Sequence, residues 1–210
     1  MTKELAGVGI GLRPRFVDRD DLLRTSRRID FLEVVPENWL LRGGRRQMQL
    51  QECLRRWPTV PHGVSLNIGG IDPLDGAMLD AIGELRVQSD APFFSDHLVY
   101  SSVAGQPLHD LLPLPFTQEV VDHVAARVDA AQRRVGRPLV LENATFYAHM
   151  PGSTMSEAEF LRSVCATADC GMLLDVNNVY VNSLNHRFDP YRFIDQMPLE
   201  RVRQIHLAGH

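Results

Sequence analysis

A chain of 210 residues, 44% of them hydrophobic, is long enough to bury one substantial core or two small ones. Its formal net charge of -4, with arginine patches at 24–28 and 42–46 that apolar or glycine residues interrupt, argues against a nucleic-acid surface, which needs clustered positive charge. The N-terminus lacks the apolar core of a signal peptide and no apolar run reaches membrane-spanning length, so a cytoplasmic protein that binds neither nucleic acid nor membrane is expected. Cys53, Cys165 and Cys170 are odd in number and form no Cys-x-x-Cys pair, which indicates neither a disulfide framework nor a structural zinc site. Cys53 falls in the apolar phase of a helical pattern, and Cys165 and Cys170 flank a turn before a strand.

In chain order, residues 8–12 read as a strand, 18–28 as a polar helix carrying Leu22 and Leu23, and 29–35 as a second strand closed by Pro36-Glu-Asn38. Residues 48–57 place Met48, Leu50, Cys53, Leu54 and Trp57 near helical spacing, and Pro58 ends that helix because it cannot continue the hydrogen-bond ladder. A third strand is expected over 60–66, a helix over 74–85 and a fourth strand over 92–95. Residues 98–115, rich in Ser, Gly, Pro and Leu, read as a surface loop over one end of the fold. Thr117 caps a helix in which Val120, Val121, Val124, Val128 and Ala131 recur at helical spacing. Strand five follows over 138–142. Ser156, with Glu159 three residues later, opens a helix to 167, and 172–175 is strand six. A short helix over 190–197 leads to a buried seventh strand over 202–207.

Strands that alternate with helices imply parallel pairing through right-handed crossovers. Seven such steps suit an α/β TIM (β/α)8-type barrel better than a doubly wound sheet. The expectation is one barrel domain over residues 1–210, lacking its last strand and helix and therefore C-terminally incomplete.

The rim of such a barrel at the C-terminal ends of its strands collects catalytic groups. His62, His97, Glu142, Asp175 and His206 all fall at or just past predicted strand ends. Strand alternation turns Asp175 and Asn177 to one face with Asn178 just beyond, so either amide can join Asp175. Singly, each residue has a plain structural explanation, such as an Asx-turn at Asp175 or a helix cap at Glu142. Together they would be costly to bury unless paired or bound to a cation. Imidazoles with carboxylate and amide oxygens, and no thiolate, suit iron, manganese or zinc, with ligands enough for two or more ions.

The runs His62-Gly-Val-Ser-Leu, Ser95-Asp-His-Leu98, Asp110-Leu-Leu-Pro-Leu-Pro115, Leu141-Glu-Asn143, Leu174-Asp-Val-Asn-Asn-Val-Tyr-Val181 and Ile205-His-Leu-Ala-Gly-His210, in that order, resemble the DUF692 (UPF0276) family of methanobactin-biosynthesis-type multinuclear iron oxidases. The resemblance runs from Gly7 to the last residue. It implies a TIM barrel holding two or three non-haem irons, Fe2+ or Fe3+, that uses dioxygen to modify cysteines of a ribosomally synthesised precursor peptide. It also implies a small partner protein that recognises the peptide leader. By motif, His62, His97, Glu142, Asn178 and His206 match metal-binding positions, with Asp175 beside them and Asn177 as the alternative amide. Glu142 is expected to bridge two ions, and Glu142 and His210 are the candidate catalytic residues. The family pattern continues with an Asp-x-His motif and a later acidic ligand beyond the last residue here. Glu33, Glu37 and Asn38 are expected as supporting or substrate contacts, Asp96 as the group that orients His97, and His109, His123, His149 and His186 outside the metal shell. The competing readings are a zinc- or manganese-dependent hydrolase or isomerase on the same barrel, or a non-catalytic module that binds a peptide or partner.

Overall fold

The computed structural model describes residues 5–18, 22, 28–39 and 43–208. Its strands are β1 (Gly9–Gly11), β2 (Phe31–Val34), β3 (Thr59–Pro61), β4 (Phe94–His97), β5 (Tyr100–Val103), β6 (Gln106–Leu112), β7 (Leu139–Glu142), β8 (Gly171–Asp175) and β9 (Val202–His206). The helices, numbered over the described residues, are α1 (Pro14–Asp18), α2 (Pro36–Trp39), α3 (Arg45–Arg56), α4 (Gly76–Ser89), α5 (Gln118–Val135), α6 (Glu157–Thr167), α7 (Val176–His186) and α8 (Pro190–Asp195).

β1, β2 and β3 pair in parallel, as do β4, β7, β8 and β9, and a parallel bridge between His62 and Ser95 joins the two sheets. The result is seven parallel strands in chain order with helices outside, the expected TIM-type arrangement in partial form. Among the described residues β1 and β9 have no partner on their outer sides, and a cleft of about 770 Å³ opens between them.

Alternation along the strands separates two kinds of core. Phe31, Val60, Phe93, Val140 and Leu173 form one cluster inside the barrel. Their sequence neighbours point outward against the helices: Leu32 and Val34 pack with α3, and Phe94, Leu139, Leu141, Met172 and Leu174 pack with α4, α5 and α6. The helices are bounded as their sequences demand. Thr117 accepts from Val120 N–H at 3.3 Å at the start of α5, and Gly136 ends that helix at φ 71°. Ser156 and Glu159 close a reciprocal capping box on α6.

Several sequence expectations need correction. Most of the helix expected over 18–28, including Leu23, lies outside the described residues. β3 stops at Pro61, far short of residue 66, because Glu37 draws the next loop away from the sheet: its Oε1 accepts from Val64 N–H and Ser65 N–H, each at 2.9 Å. The stretch 98–115 contains the antiparallel hairpin β5–β6 rather than loop alone. Its turn residues Ala104 and Gly105 both take positive φ, the geometry that fits a two-residue hairpin but lacks the usual Asn-Gly signature. Asp72 holds that turn by accepting from Ala104 N–H and Gly105 N–H at 3.1 Å. A helix, α7, begins directly after Asp175, so the strand alternation that aligned Asn177 with Asp175 does not extend that far. β9 is half-exposed rather than buried, since its outer edge is open and Ile205 is 54% exposed.

Candidate metal centre

The alternation that fills the barrel interior also builds its polar end. Two residues beyond each interior apolar side chain, on the same face, stands a polar one: Glu33 after Phe31, His62 after Val60, Ser95 and then His97 after Phe93, Glu142 after Val140, and Asp175 after Leu173. His206 ends β9 in register with Asp175. These side chains form three overlapping groups able to hold a metal: Glu33, His62 and His206; His62, His97 and Glu142; and Glu142, Asp175 and His206. Within each group the ligand atoms lie within 4.8 Å of one another. Because His62, Glu142 and His206 are shared, the geometry has room for more than one ion.

Hydrogen bonds behind the rings fix which nitrogens face the centre. Ser95 Oγ donates to the Pro61 carbonyl at 3.3 Å, so it accepts from His62 Nδ1–H at 2.9 Å. The Gly63 carbonyl likewise accepts from His97 Nδ1–H at 3.3 Å. In its neutral form each ring therefore presents an unprotonated Nε2 inward. Those nitrogens stand 3.3 Å and 3.4 Å from Glu142 Oε2, which is buried and has no hydrogen-bond partner. Burial pushes the His62 imidazole below its usual range, against the pull of Glu33 and Glu142, so it stays neutral. Three lone-pair donors turned on one another in a buried space repel unless a cation lies among them.

His206 behaves differently. Its Nε2 lies 2.7 Å from Glu33 Oε2 and its Nδ1 lies 3.5 Å from Glu142 Oε1 and 3.8 Å from Asp175 Oδ2. Burial opposes its charge, but Glu142 and Glu33 outweigh that and push its pKa up to about 10. Burial also opposes charge on Glu33 and Glu142, yet the charged His206 bonded to each holds both below the ordinary carboxylate range. Burial raises Asp175.

Of the candidates from sequence, His62, His97, Glu142, Asp175 and His206 are thus brought together. Asn178 lines the same cleft of about 370 Å³ as His97, Glu142 and Asp175. Its amide is engaged elsewhere, donating to the Asn143 carbonyl at 2.9 Å and accepting from Thr145 Oγ at 2.7 Å. Its backbone N–H meets Asp175 Oδ1 at 2.6 Å, which makes Asp175 the N-cap of α7. His210 lies outside the described residues. His109 is exposed on β6, His123 donates to the Gly70 carbonyl, and His149 and His186 gather around Phe146 away from the cluster.

The supporting groups are not all those expected. Asp96, fully buried, accepts from the backbone N–H of His97 and of Leu66, while the His97 ring is oriented by Gly63 instead. Sequence reasoning gave Glu33 only a supporting role, although the Phe31-x-Glu33 spacing repeats that of Val60-x-His62 and Val140-x-Glu142. It also missed Asn143, which bonds Asp175 N–H and the Asp175 carbonyl at 2.9 and 3.0 Å and so ties the ends of β7 and β8 together.

Comparison with known proteins adds to this geometry. Residues 7–210 match the family model described as RiPP precursor modification enzyme MbnB/TglH/ChrH. The chain is 45% identical over 207 residues to a UPF0276 protein of Pasteurella multocida, covering 98% of this chain and 67% of that protein. It is 46% identical over 207 residues to a UPF0276 protein of Acinetobacter baylyi, covering 99% of this chain and 71% of the relative. Among solved structures it resembles a D-tagatose 3-epimerase-like protein (TM-score 0.59, 14% identity, covering 97% of this chain and 77% of that one). The 3-keto-D-glucoside 4-epimerase YcjR of E. coli is similar (TM-score 0.57, 12% identity, covering 97% and 91%). At such low identity these two likenesses bear on the barrel fold alone. Among the described residues no helix is long and apolar enough to cross a membrane.

Proposed function

Because the chain belongs to the MbnB/TglH/ChrH family of RiPP precursor modification enzymes, we propose that it is a multinuclear non-haem iron-dependent oxidase, an oxidoreductase that uses dioxygen to modify cysteine residues of a ribosomally synthesised precursor peptide. The reading takes residues 1–210 as one barrel domain working in the cytoplasm, with a small partner protein recognising the peptide leader.

The observation that carries a metal is the unpartnered Glu142 Oε2 facing the bare Nε2 atoms of His62 and His97. The donor set fits a borderline divalent cation, with neutral imidazoles and anionic carboxylates and no thiolate. In this assignment His62, His97, Glu142, Asp175 and His206 hold the ions, Glu33 supplies a further carboxylate, and Asn178 borders the open side. Iron bound there would relay electrons from the peptide cysteine to dioxygen. The protein's own part is positional. Ser95 and Gly63 hold two rings in the tautomer that would ligate, Glu142 stands where its carboxylate would serve more than one ion, and His206 would have to release its proton to solvent in order to ligate. The hairpin residues Asp110 and Leu111, with Tyr147, line the cleft through which a peptide side chain would reach the centre.

The test is reconstitution with Fe2+ under anaerobic conditions, followed by exposure to dioxygen with a cysteine-containing precursor peptide. Oxygen consumption with a change in peptide mass supports the reading. Metal binding without oxygen consumption would instead favour a hydrolase or isomerase using zinc or manganese, and no metal uptake would favour a peptide-binding module.

A further inference from the structure

The opposite end of β8 from Asp175 carries a second chemical feature, independent of the metal centre. α6 ends at Thr167, Ala168 caps it, and Asp169 turns left-handed at φ 45°. The Cys170 N–H then reaches back to the Cys165 carbonyl at 3.3 Å. This is a Schellman closure, in which a left-handed residue lets the chain fold back on the last helical turn. The two residues so joined normally bring apolar side chains into contact. Here both are cysteines, each 2% exposed and both in the main outer core. The closure thus joins the backbones of the two cysteines across the turn. Arg201, ion-paired to the turn residue Asp169 at 2.6 Å, brings a positive charge to the same turn.

We propose that Cys165 and Cys170 are a site of reversible oxidative modification, forming an intrachain disulfide across the α6–β8 turn when the folded protein meets hydrogen peroxide. Two features make the pair suited to it: the Schellman closure bonds the Cys170 backbone to that of Cys165, the arrangement that usually brings these two side chains together, and the Arg201 guanidinium is paired to the intervening turn residue Asp169, where it favours a thiolate. The neighbouring Cys170 thiol, helped by Arg201, draws the Cys165 thiol below its usual range against burial, while Cys165 and burial raise Cys170. Cys165 is therefore the nucleophile. Its thiolate attacks one peroxide oxygen, the O–O bond breaks, and hydroxide leaves and takes up the proton that Cys165 lost, giving a sulfenic acid and water. Cys170 sulfur then attacks Cys165 sulfur; the S–O bond breaks, and the departing oxygen takes the Cys170 proton as a second water. Two thiols are oxidised and one peroxide is reduced to two waters. Cys53, buried in α3 with its thiol pushed up to about 11 mainly by burial, serves as an internal control.

The experiment treats the native full chain with hydrogen peroxide, removes the oxidant, alkylates under denaturing conditions and digests with trypsin. Cleavage after Arg162 and Arg187 leaves both cysteines on one peptide, 163–187. The expected peptide is lighter by two hydrogens, carries no alkyl group, and regains two alkylatable thiols after dithiothreitol, while the Cys53 peptide is alkylated throughout. In Cys170→Ser, Cys165 should instead gain oxygen and resist full rescue. Two alkylated cysteines after peroxide, oxygen added at Cys165 of the wild type without loss of hydrogens, or a cross-link formed only after unfolding in urea would each overturn the proposal. Should the variant fail to fold, the wild-type peptide alone decides.

Discussion

Metal binding at the proposed centre must compete with a proton on His206. In the metal-free protein this ring is held charged by Glu33 and Glu142, with its pKa raised from 6.5 to about 10. A ligating imidazole is neutral, so each ion that takes His206 expels one proton, and below about pH 10 the apparent affinity rises about tenfold per pH unit. Between about pH 6 and about pH 8 the gain is therefore on the order of 100-fold. Stability without metal runs the other way. A folded-state pKa above the unfolded value stabilises fully below about 6.5, and that contribution is lost as pH rises through about 10. After discount for a side chain that is 25% exposed, the loss is about 2–3 kcal/mol. Calorimetric titration with Mn2+ or Zn2+, in buffers of different ionisation enthalpy, reads both the affinity and the protons released. His206→Gln should bind more weakly with the His206 slope removed. A wild-type affinity flat between those pH values, or an undiminished slope in the variant, would refute the reasoning.

Glu142→Gln keeps the shape of the side chain but removes the charge shared by three imidazoles; metal affinity should fall by more than the roughly 10- to 100-fold typical of losing an outer partner. Elemental analysis beside circular dichroism separates lost metal from lost fold, and retained loading would count against the assignment. Ser95→Ala deletes the acceptor that fixes the His62 tautomer and should weaken metal binding about 10- to 100-fold, read by the same titration. Leu141→Ala opens a cavity in the outer core, where Leu141 is 1% exposed, and should cost about 2–5 kcal/mol in urea unfolding without altering the ligand set.

The barrel was legible because its outer core is written as short apolar runs followed by amphipathic helices, and both signals are local. Thr117, Ser156 and Pro58 mark helix ends by chemistry confined to a few residues, so they survive folding unchanged. What sequence reading lost depended on partners far along the chain. The hairpin needs Asp72 to hold Ala104 in a conformation that alanine does not favour, and β3 is cut short by a carboxylate 27 residues upstream of Val64. Neither partner announces itself in the segment it controls.

The candidate site was legible for a related reason and incomplete for another. In a closed or nearly closed barrel, interior apolar residues and rim ligands occupy the same face of the same strand, so a ligand stands two residues after a core side chain. Val60-x-His62, Val140-x-Glu142 and Leu173-x-Asp175 follow that rule, and Phe31-x-Glu33 follows it equally. Glu33 was given only a supporting role because it was grouped with Glu37 and Asn38 at the end of the strand rather than read by its place on the inward face. Asn177 entered as the alternative amide through the opposite error: strand parity was carried past Asp175 into a helix that Asp175 itself caps. Parity therefore identifies ligands only as far as the strand persists. The carboxylate best placed to begin a helix by accepting the Asn178 N–H, Asp175, still turns its other oxygen toward His206, serving local structure and the proposed centre together.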